Sequence, residues 1–222
     1  MTEPGFLTTT RTAYDTVAVD YAQVVGTELT EVTEGPQDRT ALAAFAELVK
    51  TNGSGPVADV GCGPGRVTAH LTVLGLDIFG VDLSPEMVAV AHRSHPALRF
   101  EEGSMTALHQ ADGSLGGIVA WYSIIHTPPE RLPQVFAEFE RVLAPGGQLL
   151  LAFQAGGNEH VHKDEAYGRA VSLDNYRLSP DHVAESLGKA GLVVHTRVLR
   201  EPLYAFEQTR QACLLAHKPS KS

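Results

Sequence analysis

The stretch Val57-Ala58-Asp59-Val60-Gly61-Cys62-Gly63-Pro64-Gly65-Arg66 decides the fold. Four residues that suit a buried strand run straight into a loop with three glycines in five positions. Val67, Leu71 and Leu74 then recur at helical spacing. The order is therefore strand, tight turn, helix. Glycine admits positive φ and lets backbone approach a ligand closely. In open α/β sheets, ligands sit at the carboxyl ends of the strands. The spacing is G-x-G-x-G, so the third glycine comes one residue early for the dinucleotide pattern, and no Gly-Lys-Ser/Thr follows for a phosphate loop. Cys62 stands beside the coming helix N-terminus, a place that can lower a thiol pKa.

The same alternation extends both ways. Upstream, Tyr14, Val17, Ala18, Tyr21 and Val25 mark one helix, Gly35-Pro36 a turn, and Leu42, Phe45, Ala46 and Val49 a second helix ending at Asn52-Gly53-Ser54-Gly55-Pro56. Downstream, residues 77–81 read as a strand, and Ser84-Pro85 opens a helix with Ser as N-cap. Residues 98–101 and 117–122 read as strands, the latter apolar throughout, as burial on both faces demands. Leu132, Val135, Phe136, Phe139 and Leu143 predict a helix; Thr127-x-x-Glu130 resembles a capping box, while Pro133 places the start nearer Glu130. Strand 148–153 follows Pro145-Gly146-Gly147, and residues 154–178 read as irregular. Ser179-Pro180 opens the last helix, before strands at 192–199 and 211–216. Seven strands alternating with helices predict a mainly parallel sheet with helices on both faces.

Length and charge narrow the function. A chain of 222 residues suffices for one domain. Net charge is −9 with no basic run, which argues against a nucleic-acid partner. Two cysteines, Cys62 and Cys213, make no disulfide framework. Residues 1–12 lack the apolar stretch of a signal peptide, and no apolar run reaches bilayer length, so the expectation is a cytoplasmic protein with no membrane partner.

Asp82 ends the second strand, 21 residues after Gly61, where a carboxylate accepts two hydrogen bonds from a ribose diol. At this point the motifs are similar to those of class I S-adenosylmethionine-dependent methyltransferases, the small-molecule kind common in bacteria. The resemblance rests on residues 59–66, on Gly80-Val81-Asp82-Leu83-Ser84-Pro85-Glu86-Met87, on Gly103-Ser104-Met105 and on residues 141–147, in proper order over about 57–153. It implies a Rossmann-like, doubly wound, seven-stranded sheet with an antiparallel last strand, and S-adenosylmethionine as cofactor. It further implies that Asp59, Gly61, Cys62, Gly63, Gly65 and Arg66 line the methionine moiety. Asp82 would hold the ribose, and Leu83, Met87, Gly103, Ser104 and Met105 the adenine. Ser104 stands where the family often carries Asp. Tyr14 and Tyr21 share a helical face, which in similar enzymes closes over the cofactor, and Trp121 joins the cofactor set. One domain over 1–222 is expected, with residues 1–52 as a helical cap and 154–178 as an acceptor-side insertion, in a monomer or homodimer.

Acceptor chemistry needs fewer residues. His126 follows the fourth strand, whose end should face the transferred methyl, and a histidine near neutral pKa suits proton removal. Tyr122 shapes the pocket, and His162 and Tyr176 are candidate acceptor contacts on a stretch too long for an ordinary connection of roughly 4–6 residues. His160-x-His162, with Glu159 and Asp164, would share a face only on a strand; in an irregular stretch without a third ligand no metal is expected. Two other readings stand beside methyl transfer to a small-molecule O, N or C nucleophile. One is an NAD-dependent oxidoreductase, which the glycine spacing opposes. The other is a cofactor-binding module without catalysis. No Asn/Asp-Pro-Pro-aromatic motif follows the fourth strand, which disfavours a nucleic-acid methyltransferase.

Overall fold

A computed structural model describes residues 4–52 and 55–220; the expected helix end at Gly53-Ser54 and the first three residues lie outside them. Two helices come first, α1 (Gly5–Val25) and α2 (Pro36–Asn52). β1 (Val57–Val60), α3 (Arg66–Val73), β2 (Ile78–Asp82), α4 (Pro85–Ser94) and β3 (Phe100–Glu102) form one half of an α/β unit. β4 (Leu115–Trp121), α5 (Leu132–Val142), β5 (Leu143–Gln154), α6 (Pro180–Lys189), β8 (Val193–Arg200) and β9 (Gln211–His217) form the other, interrupted by β6 (Glu159–Ala166) and β7 (Arg169–Arg177).

The main sheet has seven strands in the order β3-β2-β1-β4-β5-β9-β8. β1 pairs parallel with β2 and β4, and β9 pairs antiparallel with β5 and β8. This is the doubly wound sheet with an antiparallel last strand that the motifs implied. Order reverses between β1 and β4, so the carboxyl end of β1 is the switch point, where such sheets bind ligands. β2 and β4 are buried along their whole length, which explains their unbroken apolar runs. One core lies between the sheet and α5 and α6, with Phe136, Phe139 and Leu187 fully buried. The other lies under α2 and α3, around Leu42, Phe45 and Leu71. Among the described residues no helix is long and apolar enough to cross a membrane.

Three expectations need correction. Residues 154–178 are ordered: β6 and β7 make a two-stranded antiparallel hairpin. β6 is exposed along nearly all its length, and β7 buries only Leu173 and the polar Asn175, so no apolar alternation marks the pair. The turn uses Tyr167 and Gly168, both at positive φ (53° and 75°), the backbone of a tight hairpin turn without its usual Asn-Gly. The helix near 127–130 is also different. A short 3-10 turn covers Pro129–Arg131, α5 starts at Leu132, and Thr127 caps nothing; its hydroxyl points to Met105 Sδ at 3.5 Å. β5 begins at Leu143, five residues early, because Leu143 already pairs with Leu115 before a register shift.

Candidate active site

The switch point opens into a cleft of about 970 Å³, counting the space open at its mouth. Its floor is the loop after β1. Gly61 takes φ 78°, and a Cβ there would overlap the Ser123 side chain, whose hydroxyl donates to the Val60 carbonyl at 2.6 Å. Gly65 takes φ 86° as the residue before α3, and a Cβ there would press on the Phe100 ring at 2.7 Å. Both glycines serve packing, and Gly65 does not line the cleft. Gly63 alone borders open space: at φ 53°, a Cβ would find only Tyr21 Cε1, 4.0 Å away. The three glycines thus have different causes, which spacing cannot separate.

Two carboxyl groups flank this loop. Asp82, at the end of β2, accepts from the Gly63 amide (2.8 Å) through Oδ2 and from the Ser84 amide (2.9 Å) through Oδ1. Each oxygen thus takes one of these amides and carries a second lone pair, the arrangement a vicinal diol needs. Burial pushes its pKa up to about 6, against the opposing pull of those two amides. Asp59 is buried at 1% exposure; Oδ2 accepts from the Thr68 hydroxyl at 2.7 Å, and Oδ1 has no partner among the described residues. Burial raises its pKa to about 7. A buried, unpartnered acceptor at the edge of a cleft is costly unless a ligand donor completes it. Trp121 Nε1 is a second orphan at the cleft, this time a donor.

Several of the other expected positions border this floor. Leu83, Met87, Gly103, Ser104 and Met105 line the side between β2 and β3. Ser104 hydrogen-bonds Thr106 through its hydroxyl, at 2.8 Å from the Thr106 Oγ1, so its side chain is engaged locally. Cys62 also lines the cleft, but burial pushes its thiol pKa well up, which overrides the helix N-terminus and leaves no reactive thiolate. Arg66 lines the far edge and makes a buried ion pair with Glu34.

α1 forms the roof. Tyr14 and Tyr21 meet edge to face, with ring centroids 6.1 Å apart, and Tyr21 meets Tyr167 of the hairpin at 4.9 Å. Sequence reasoning missed the first turns of this helix: Phe6, Leu7, Thr10 and Arg11 also line the cleft. The signal was present, since Leu7 and Arg11 extend the Tyr14–Tyr21 stripe backwards at helical spacing.

Beyond β4, Tyr122 takes φ 56°, a left-handed backbone that turns the chain sharply into a 3-10 turn at Ile124–His126. That turn delivers His126, 8% exposed, to the cleft. Its Nδ1 donates to the Asp174 carbonyl at 3.0 Å, because a carbonyl can only accept. Nε2 is then the acceptor, and the Tyr14 hydroxyl donates to it at 2.7 Å. Burial lowers the His126 pKa to about 4, so the ring is neutral at physiological pH. Burial likewise raises the Tyr14 pKa well above its ordinary value. The result is a neutral hydroxyl–imidazole pair in a buried wall of the cleft. Neither His162 nor Tyr176 lines the cleft: His162 contacts Asp174 and Asp164, and Tyr176 packs against the main core and stacks on His160.

Among known proteins, methyltransferase sequences match part of this chain. Residues 57–147 match the family model described as a methyltransferase domain. A malonyl-[acyl-carrier protein] O-methyltransferase of Pectobacterium atrosepticum is 32% identical over 125 residues, 51% of this chain and 49% of that protein. A demethylmenaquinone methyltransferase of Chlorobaculum parvum is 37% identical over 92 residues, 41% of this chain and 37% of that protein. The chain thus spans half or less of these curated relatives. Among solved structures, the magnesium protoporphyrin IX methyltransferase of Synechocystis, with bound S-adenosylmethionine, superposes with a TM-score of 0.71 over 98% of this chain and 99% of that one; at 16% identity the likeness is one of fold. The matched segment runs from the first residue of β1 into β5 and contains the glycine loop and both carboxyl groups, so the likeness to class I S-adenosylmethionine-dependent methyltransferases lies in the part of the chain that builds the floor of the cleft.

Proposed function

We propose that the protein transfers a methyl group from S-adenosylmethionine to a small-molecule acceptor in the cleft at the end of β1 and β4. The observation that carries this reading is the pair of buried carboxyl groups around Gly63. Asp59 presents an unpartnered Oδ1, and each Asp82 oxygen takes one amide and carries a second lone pair. An α-ammonium group on the first and a ribose diol on the second would satisfy both. Gly63 leaves the room between them. Leu83, Met87 and Met105 supply an apolar slot for a flat base.

The cofactor, when bound, supplies a methyl group on a sulfonium, already a good leaving group. The chain must therefore orient the acceptor and keep water out, effects that together reach on the order of 7–11 kcal/mol. Residues of α1 and of the β6–β7 hairpin serve this end as a helical cap and an acceptor-side lid. Tyr14 and His126 handle a proton where the acceptor brings one: Tyr14 takes it at Oη while passing its own to His126 Nε2. The Asp174 carbonyl holds the His126 tautomer that makes Nε2 the receiving atom. With a sulfonium cofactor bound, the proton accepted at His126 would leave the net charge of the site unchanged. That matters in a site whose burial already disfavours imidazolium. The two relatives are named for methylating an acyl-carrier-bound malonyl group and a demethylmenaquinone, which supports a small or carrier-bound organic acceptor.

Two titrations and one turnover assay test the reading. The protein should bind S-adenosylmethionine and not NAD, and should release S-adenosylhomocysteine when supplied with fractionated metabolite extract and methyl-labelled cofactor. Binding of NAD alone would sink the assignment. Cofactor binding without transfer to any fraction would leave a binding module.

A further inference from the structure

A second cluster lies outside the cleft, on the β6–β7 hairpin. His160 and His162 are two apart on β6 and therefore share a face, and Asp174 is the cross-strand partner of His162 on β7. His160 Nε2 and His162 Nδ1 both approach the same oxygen, Asp174 Oδ1, each at 2.7 Å. The three donor atoms lie within 4.8 Å of one another. In a tetrahedral zinc site, metal–ligand distances near 2.0–2.1 Å put donor atoms about 3.3 Å apart. The two nitrogen–oxygen contacts are shorter than that and the full spread of the cluster is wider, so rotation of the exposed His160 and His162 rings has to lengthen the first and narrow the second.

Two further contacts have the form that metal sites use. The other ring nitrogen of His162, Nε2, faces Asp164 Oδ1 at 3.2 Å. A histidine ligand characteristically donates its second N–H to a carboxylate, which fixes the tautomer that leaves the first nitrogen free for the metal. The His160 ring stacks on Tyr176, with centroids 5.1 Å apart and planes 26° apart, which limits its rotation. Two imidazoles and one carboxylate suit zinc or a neighbouring late transition ion, and suit magnesium or calcium poorly, since those prefer all-oxygen shells.

We infer that His160, His162 and Asp174 form a binding site for one divalent transition-metal ion of the zinc class, with a fourth position open to water. The expectation of no metal rested on an irregular 154–178 and on the want of a third ligand; the hairpin supplies both the shared face and Asp174. The ion would tie β6 to β7 across the sheet. Asp174 also reaches inward, for its carbonyl accepts from His126 Nδ1. The site is thus one residue's length from the cleft without being part of it.

The test is a zinc titration of the chelator-treated full-length protein, in competition with a chromophoric chelator. One equivalent should bind, and His162→Gln and Asp174→Ala should each weaken binding by at least 100-fold, with circular dichroism confirming the fold. Asp164→Asn should weaken it about 10-fold, the low end for a residue behind a ligand. His195→Ala is the control, because the His195 and His217 rings lie 5.6 Å apart on β8 and β9, in the seven-stranded sheet and not in the hairpin, and make a second histidine pair. X-ray absorption of the wild-type complex should show two imidazoles and no sulfur. Absence of binding, binding indifferent to His162 and Asp174, or binding lost in His195→Ala would overturn the proposal.

Discussion

The Tyr14 hydroxyl donates to His126 Nε2 at 2.7 Å, joining two residues 112 positions apart in the chain. The contact spans the roof of the cleft and the end of β4, so it exists only when α1 is docked. Tyr14→Phe keeps the ring that packs on Tyr21 and removes the donor. We expect turnover to fall by about 10–100-fold with cofactor affinity changed less than about threefold. His126→Ala should cost about 10²–10⁴ in turnover, the usual range for a positioned acid or base. Steady-state rates beside calorimetric cofactor titrations check both; equal losses in rate and affinity would assign the pair to packing.

Asp82→Ala removes the acceptor of the Gly63 and Ser84 amides and the proposed acceptor of the diol. Two lost hydrogen bonds to a charged group cost roughly 3–6 kcal/mol. Cofactor affinity should fall more than 100-fold, read by calorimetry on a variant whose thermal melt stays cooperative.

Gly61→Ala and Gly63→Ala separate two uses of one motif. At Gly61 the new methyl overlaps Ser123, so the variant should lose stability. At Gly63 the methyl meets only open space beneath Tyr21, and the left-handed φ costs about 1–2 kcal/mol. Gly63→Ala should therefore fold, yet bind cofactor at least 10-fold more weakly. Urea unfolding and ligand titration of the two variants should rank them in opposite orders.

Acid–base linkage gives an expectation with a sign. Asp59 and Asp82 have folded pKa values of about 7 and about 6, above their unfolded ones. Each thus favours the ligand-free fold fully below the unfolded carboxyl range, and this contribution is lost as pH rises through about 6 and about 7. A ligand carrying an ammonium and a diol requires the ionised forms, so affinity for S-adenosylmethionine should rise from pH 5.5 to 8, with proton release on binding. His126, pulled down to about 4, stays neutral across this range and adds no limb. Titrations in two buffers of different ionisation enthalpy measure the protons released.

The hairpin can be removed at a natural neck. Ala155 and Leu178 bridge each other, and the Leu178 amide donates to the Gln154 carbonyl at 2.9 Å. Replacing residues 157–177 by two glycines should spare this neck and α6. Cofactor affinity should stay within about fivefold while transfer to the true acceptor is lost. Wild-type transfer by the shortened protein would remove the lid from the proposal.

Much of this architecture was legible because burial writes itself into sequence. β4 is apolar along its length since helices cover both its faces, and Ser84 and Ser179 announce α4 and α6 through side chains that accept from Met87 and His182 amides. The hairpin was not legible because it buries little and turns on Tyr167-Gly168. The first turns of α1 were obscured by Thr8, Thr9 and Thr10, β-branched residues that dilute a helical pattern. Within the site, Asp82 and Gly63 followed from position along the chain. The role of Asp174 did not, since it acts on His126 through a backbone carbonyl that any residue would carry.

α1 rests mainly on α4 and β7; it buries Leu7, Ala13, Val17 and Ala18, and Ala18 joins Met87 and Val90 in a small cluster separate from the two main cores, with Tyr14 and Tyr21 beside it. So few buried groups hold the roof that it can detach while both main cores stay intact, at a fraction of the energy of global unfolding. The exposed Arg169–Asp20 contact, 2.7 Å long, is one of the threads across the gap. If the proposed transfer holds, opening of this helix is the expected route for ligand exchange, and hydrogen exchange should then show α1 less protected than β1 and β4.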